Sequence, residues 1–285
     1  MTFGERLNAA MRSWGPLCVG IDPHPELLAR WGLTDTAQSL VAFSDAVLEA
    51  SVRSVAAVKP NSAFFERHGA RGIAALEHTL RRAKELELLT ILDVKRGDIG
   101  STMEGYADAY LAKGVPLEAD AITVSPYLGM GSLRPAFELA EHTGKGIFVL
   151  ALTSNPEGVS VQHAIGGSGL SVAREVAEAA AELNAGATPM GSVGLVVGAT
   201  VGEAVKKLGI NLEAVNGPLL SPGVGAQGAG PAELVEVFGS ARSRVLVSQS
   251  RGVLTAGPIV EKLRGAIQAA AGAAQYSLGT VEAGE

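Results

Sequence analysis

The chain repeats one pattern eight times: a short apolar run, a polar or proline-bearing loop, then a stretch with apolar residues at helical spacing. The apolar runs fall at residues 17–21, 55–58, 88–92, 121–124, 146–152, 192–197, 218–220 and 244–247. Each is too short for a buried helix and almost wholly apolar, which predicts strands covered on both faces. The intervening helices are predicted at 36–50, 70–86, 101–113, 133–142, 168–184 and 201–208, then from Pro231 onward and over 258–270. Leu76, Leu80 and Ala83 illustrate the spacing, which puts them on one helical face. Strict alternation predicts an α/β class with a parallel sheet, and eight units predict a closed (β/α)8 TIM barrel. An open doubly wound sheet is the rival. Its Gly-x-Gly-x-x-Gly turn is missing after the first run, where Asp22-Pro23-His24-Pro25 stands instead.

Such barrels run to about 250 residues as one domain, and no linker or composition break divides these 285 residues. The chain is therefore read as one barrel domain, 1–285. An amphipathic helix at 2–14 opens it, and a tail at 271–285 without periodicity is expected to fray. A charged fraction of 18% beside 47% apolar residues implies a soluble protein with a large core. The net charge of -6 removes any general attraction to nucleic acid or anionic membrane, so an anionic substrate needs a local cluster of Lys and Arg. No apolar stretch reaches the ~20 residues of a spanning helix, and the N-terminus lacks an apolar signal core. The expectation is a cytoplasmic protein.

Chemistry concentrates where the strands end. In a barrel those ends surround one mouth, and here they carry Asp22, Lys59, Asp93, Lys95, Ser125, Thr153, Ser154, Thr200, Ser221 and Arg251. Polar loops explain the serines and threonines. They explain Asp22, Lys59, Asp93 and Lys95 poorly, because four charges facing one mouth need mutual pairing. Asp93 and Lys95 stand two apart and so point the same way along a strand, and Asp98 follows beyond Gly97. A second signal is the glycine-rich segment 221–230 after the seventh strand, followed by Ser250-Arg251-Gly252 after the eighth. Glycines let backbone N–H groups approach an anion, and an arginine adds a forked donor, so the pair predicts a phosphate site.

Metal and thiol chemistry find little support. The five histidines are scattered with no ligand spacing. Asp22, Asp93 and Asp98 could hold a hard cation, but Lys59 and Lys95 beside them already neutralise those carboxylates. The lone Cys18 can form neither a disulfide nor a thiolate metal site and reads as a buried core thiol.

Asp93-x-Lys95-x-x-Asp98-Ile99, with Asp22, Lys59, the Ser-Pro-Gly-Val-Gly-Ala-Gln loop and Arg251, resembles the orotidine 5'-phosphate decarboxylases, in particular their longer bacterial (type 2) subgroup. The resemblance runs from Gly20 to Gly252. It implies cofactor-free decarboxylation of orotidine 5'-phosphate to uridine 5'-phosphate in pyrimidine biosynthesis. It also implies that Lys95 protonates the pyrimidine C6, that Asp93 lies against the substrate carboxylate, and that Lys59 and Asp98 complete a Lys-Asp-Lys-Asp array. A homodimer is implied, in which Asp98, Ile99 and Thr102 enter the partner's site. Asp22 and Lys59 would meet the ribose, Ser154 the pyrimidine edge, and Gln227 and Arg251 the phosphate, alongside Pro222, Gly223 and Ser250. Ser250 departs from the glycine that many members carry before the arginine. Two rival functions stay open on sequence: a metal-dependent sugar-phosphate aldol lyase or decarboxylase on the same barrel, and a non-catalytic barrel that kept the phosphate loop.

Overall fold

The computed structural model describes residues 1–224 and 230–279. Its strands are β1 (Leu17–Ile21), β2 (Ala57–Pro60), β3 (Ile91–Arg96), β4 (Ala121–Val124), β5 (Gly146–Leu152), β6 (Val193–Val197), β7 (Leu219–Pro222) and β8 (Val245–Gln249). They form one parallel sheet in the order β2-β1-β8-β7-β6-β5-β4-β3. Isolated bridges Val58↔Thr90 and Asn61↔Asp93 join β2 to β3 and close the (β/α)8 barrel. The ladder is thin at this seam for a reason written in the sequence. Val58 N–H donates to Leu89 O and Ser62 N–H to Asp93 O. Alternate residues donate along a parallel ladder, and the donor due between these two is Pro60, which has no N–H.

Alternation sorts the strand side chains into two cores. Cys18, Ala57, Ile91, Ala121, Phe148 and Leu220 fill the barrel interior. Their neighbours Val19, Val58, Leu92, Ile122, Val149 and Leu219 join the larger core beneath the surrounding helices. The helix Phe3–Trp14 plugs the lower end of the interior. Thr2 and Glu5 cap it reciprocally, and Phe3 and Leu7 belong to the interior core. Phe3 meets Phe148 edge-on with ring centroids 6.0 Å apart. Gly146 makes room for it, since a Cβ there would lie 2.1 Å from the Phe3 ring. With the bottom sealed, the interior of the described barrel opens toward the mouth formed by the strand C-termini.

Several boundaries differ from the sequence reading; β2, for one, lies at Ala57–Pro60 and not at 55–58. β3 contains Asp93 and Lys95 instead of stopping before them, and β7 extends to Pro222. The last helix runs Val260–Leu278, past the expected stop at 270, so the tail expected to fray from 271 is helical as far as Leu278. Ala271, Ala274 and Leu278 continue the buried face of Leu263 and Ile267, and Gly279 closes it in the left-handed conformation at φ 65°. Small alanines hid that face from a reading based on large apolar residues. Residues 280–285 lie outside the described part. Among the described residues no helix is long and apolar enough to cross a membrane.

Candidate active site

Above the apolar ring of the interior the inward-facing positions turn polar. Lys59, Asp93 and Thr123 occupy them on β2, β3 and β4, two residues beyond Ala57, Ile91 and Ala121. Asp93 is the hub. Its Oδ2 accepts from Lys59 Nζ at 3.0 Å, and its Oδ1 accepts from Lys95 Nζ at 2.6 Å and from Thr123 Oγ1 at 2.8 Å. The Asp93 side chain is only 8% exposed, whereas that of Lys95 is 48% exposed and presents its ammonium to the mouth.

Burial alone would push the Asp93 carboxyl up, but Lys59 and Lys95 override it and hold the group well below the usual carboxylate range. Burial would likewise push Lys59 down, and Asp93 and Asp22 override it to hold the ammonium above its ordinary value. The buried pair is therefore fully ionised at neutral pH. Cys18, deeper in the interior, is different: burial pushes its thiol up to about 12, which leaves it inert.

The backbone around Lys95 is irregular. Leu92 pairs with Ile122 and Arg96 with Val124, so three residues of β3 face Thr123 alone. Such a bulge re-aims side chains. Lys95 takes up the excess at φ 46°, a left-handed conformation that costs a non-glycine residue roughly 1–2 kcal/mol. Its N–H donates to Thr123 Oγ1 at 2.9 Å. On the far side Arg96 pairs with Glu66 and lies 5.5 Å over the Tyr106 ring.

The remaining sequence-derived residues surround this hub. Asp22 follows β1, and its buried Oδ1 has no hydrogen-bond partner among the described residues. Ser250 packs against Gly20 so closely that a Cβ on the glycine would lie 2.9 Å from that of the serine. Ser250 O accepts from Val253 and Leu254 N–H, heading the short helix Arg251–Leu254, whose first residue is the exposed Arg251. Pro222 stands beside Ser248 across the β7–β8 ladder, and Gly223 follows it at φ 94°. Ser154 is exposed after β5, with its backbone nitrogen 3.1 Å from where a Cβ on Gly198 would sit. Gln227 lies outside the described residues.

Asp98 stands apart. Its Oδ1 accepts from Ile99 N–H at 2.8 Å, and among the described residues it forms no ion pair. Ile99 is 63% exposed and Thr102 is exposed. Within one chain the charged array is thus Lys59, Asp93 and Lys95, with Asp22 acting on Lys59. Ser221 is not a mouth residue: it is fully buried and shares the outward parity of Leu219. Thr123, Ser62 and Arg96 were missed from sequence. Thr123 had a signal, since it is the only polar residue in the run 121–124 and alternates with the inward Ala121. Among the described residues no group of His, Cys, Asp and Glu could hold a metal ion.

A parallel barrel that clamps a buried carboxylate between two ammonium groups at its mouth is a (β/α)8 enzyme built around fixed charges. More specifically, the chain belongs to the orotidine 5'-phosphate decarboxylase / HUMPS family, whose model matches residues 15–266. It is 59% identical over 265 residues to orotidine 5'-phosphate decarboxylase of Salinispora arenicola, covering 93% of this chain and 94% of that one. The Streptomyces coelicolor enzyme of the same name is 58% identical, with 92% and 93% covered. A crystal structure from Streptomyces avermitilis superposes with a TM-score of 0.93 at 54% identity, covering 98% of this chain and 96% of that one. The structure of Leishmania donovani OMP decarboxylase gives a TM-score of 0.77 at 31% identity, with 98% and 100% covered.

Proposed function

We propose that this chain decarboxylates orotidine 5'-phosphate to uridine 5'-phosphate in pyrimidine biosynthesis, a carboxy-lyase reaction carried out within one barrel domain. The observation that carries the reading is the buried Asp93 carboxylate held between the Lys59 and Lys95 ammonium groups in a chain of this family. The C6–carboxylate bond breaks, its electron pair stays on C6, and CO2 leaves. The Lys95 ammonium stabilises that localised charge, then gives its proton to C6 and recovers one from water. Asp93 crowds the departing carboxylate, and Lys59 fixes Asp93. Asp22 offers to a ribose hydroxyl its Oδ1, which has no hydrogen-bond partner among the described residues, with Lys59 beside it. Ser154 meets the pyrimidine edge, while Arg251, Gln227, Pro222, Gly223 and Ser250 take the phosphate. Binding that remote group supplies free energy for chemistry at C6, and the reaction drawn this way uses no cofactor. The aldol-lyase reading is not favoured by the family match or the relatives.

Asp98, Ile99 and Thr102 complete the site of a second copy. The exposure of Ile99 and the absence of an ion pair at Asp98 among the described residues support this homodimer. The enzyme is cytoplasmic in this reading.

The test is incubation with orotidine 5'-phosphate under excess chelator, following pyrimidine absorbance. Wild-type turnover and a folded, inactive Lys95→Ala variant are expected. Activity that dies with chelation, or survives in Lys95→Ala, rejects the assignment. Mixing Lys95→Ala with Asp98→Ala tests the shared site, because hybrids regain one intact centre; a mixture as inactive as its components rejects it.

A further inference from the structure

We infer that Thr123 is a positioning residue for the reaction proposed above: one hydroxyl sets both the backbone of the proton donor and the carboxylate beside it. The inference rests on that reading of the site. Thr123 faces three residues of β3 where a regular ladder would offer one. Its Oγ1 accepts from Lys95 N–H at 2.9 Å and donates to Asp93 Oδ1 at 2.8 Å. Both hydrogen-bonding directions of the hydroxyl are thereby used on the two residues whose relative placement matters. Thr123 is 1% exposed, so no water can replace either bond without opening the interior. Lys95 sits at φ 46°, a conformation that persists only where the surroundings impose it. The hydroxyl imposes it from one side, and the Arg96–Glu66 pair from the other.

Asp93 Oδ1 would otherwise be free to turn toward Lys95 alone. With Thr123 donating to the same oxygen, the carboxylate keeps its second oxygen on Lys59 and its plane fixed across the mouth. Thr123 is not placed against substrate. It acts through Lys95 and Asp93, so its loss should reach the chemical step and spare binding.

The experiment uses Thr123→Val, which keeps the shape and removes the hydroxyl, beside Thr123→Ser, which keeps the hydroxyl. Wild-type turnover is measured first, and its absence would reject the functional reading separately. Titration with uridine 5'-phosphate counts intact sites. A bond to a charged group lost in a buried site predicts about a 10- to 100-fold fall in kcat for Thr123→Val, with KM and product affinity within about threefold. Thr123→Ser should stay within about threefold of wild type in kcat. A Thr123→Val enzyme with wild-type kcat, or a Thr123→Ser enzyme as impaired as the valine variant, overturns the inference. Should the valine variant fail to fold, Thr123→Ala carries the same expectation. A crystal structure of the folded variant gives a readout independent of turnover: Lys95 should leave its left-handed conformation or its contact with Asp93, and an unchanged Lys95 and Asp93 overturns the role.

Discussion

Replacing Asp93 with asparagine leaves the shape of the site and removes its negative hub. Lys59 then keeps its place among buried groups without the carboxylate 3.0 Å from its Nζ. Two unit charges at that separation attract by roughly 5 kcal/mol at an effective dielectric of about 20. Breaking a buried pair from one side costs about 3–5 kcal/mol when the surviving charge is left uncompensated. Asp22 still acts on Lys59, so the lower half of that range is expected for Asp93→Asn at pH 7. Urea unfolding at matched protein concentration measures it. The companion Lys59→Met, Asp93→Asn double variant removes both charges and should recover at least about half of the loss, since apolar replacement of a buried pair is often close to neutral.

The pH dependence gives the sharper test. In the wild type the folded pKa of Lys59 is raised, so its contribution is complete below the unfolded value of about 10.4 and lost only as pH rises through the higher folded value. Asp93 is lowered, so its contribution is complete above about 3.9 and lost as pH falls through the folded value. Between these limits the pair contributes a constant amount. In Asp93→Asn burial outweighs Asp22 alone, and the folded pKa of Lys59 drops below its unfolded value. The unfolded chain then binds more protons between the two values, so the variant gains stability as pH rises through that window. The gap between wild type and variant should therefore narrow between pH 7 and about 10. A gap that stays constant over this range, or a loss under about 1 kcal/mol at pH 7, would refute the reasoning that the carboxylate is what keeps Lys59 charged.

Two further outcomes follow from the backbone and the plug. Lys95→Gly and Lys95→Ala should both be inactive, yet the glycine variant should unfold at higher urea by about 1 kcal/mol, because only the alanine still resists φ 46°; equal stabilities would show that no strain is stored there. Phe3→Ala should lose about 3–5 kcal/mol of stability through the cavity left below Phe148, while kcat on folded protein is retained because the plug lies opposite the mouth; a stable Phe3→Ala would remove the helix from the core.

The eight-unit alternation made the barrel legible because parallel strands covered on both faces must be apolar and short. The charged cluster was legible because ionised groups at strand ends have no bland explanation. What stayed hidden is what depends on exact register. Alternation predicts Asp93 and Lys95 on one side, and their side chains do meet, but through a bulge that sets three residues of β3 against Thr123 and not through a regular strand. Ser221 looked like a mouth residue by position in the chain, and a parity count from Leu219 and Leu220 turns it outward. The helical extension to Leu278 escaped notice because alanines at 271 and 274 bury a face without marking it as strongly apolar.

The irregularities share one place. On its β2 side, β3 loses a ladder bond because Pro60 brings no N–H. On its β4 side, the same strand carries the bulge. A strand held loosely on both edges would be the weak point of a closed barrel, yet β3 carries the residues that must not move. The side chains take over the joining: Lys59 reaches across the seam to Asp93, and Thr123 reaches across the bulge to Asp93 and to Lys95 N–H. These bonds occupy the interior, where water cannot compete for them. The charges that carry the proposed chemistry are thus also what binds β3 to its neighbours. Substitutions at Asp93 should accordingly lower stability and turnover together, whereas substitutions at the half-exposed Lys95 should separate the two.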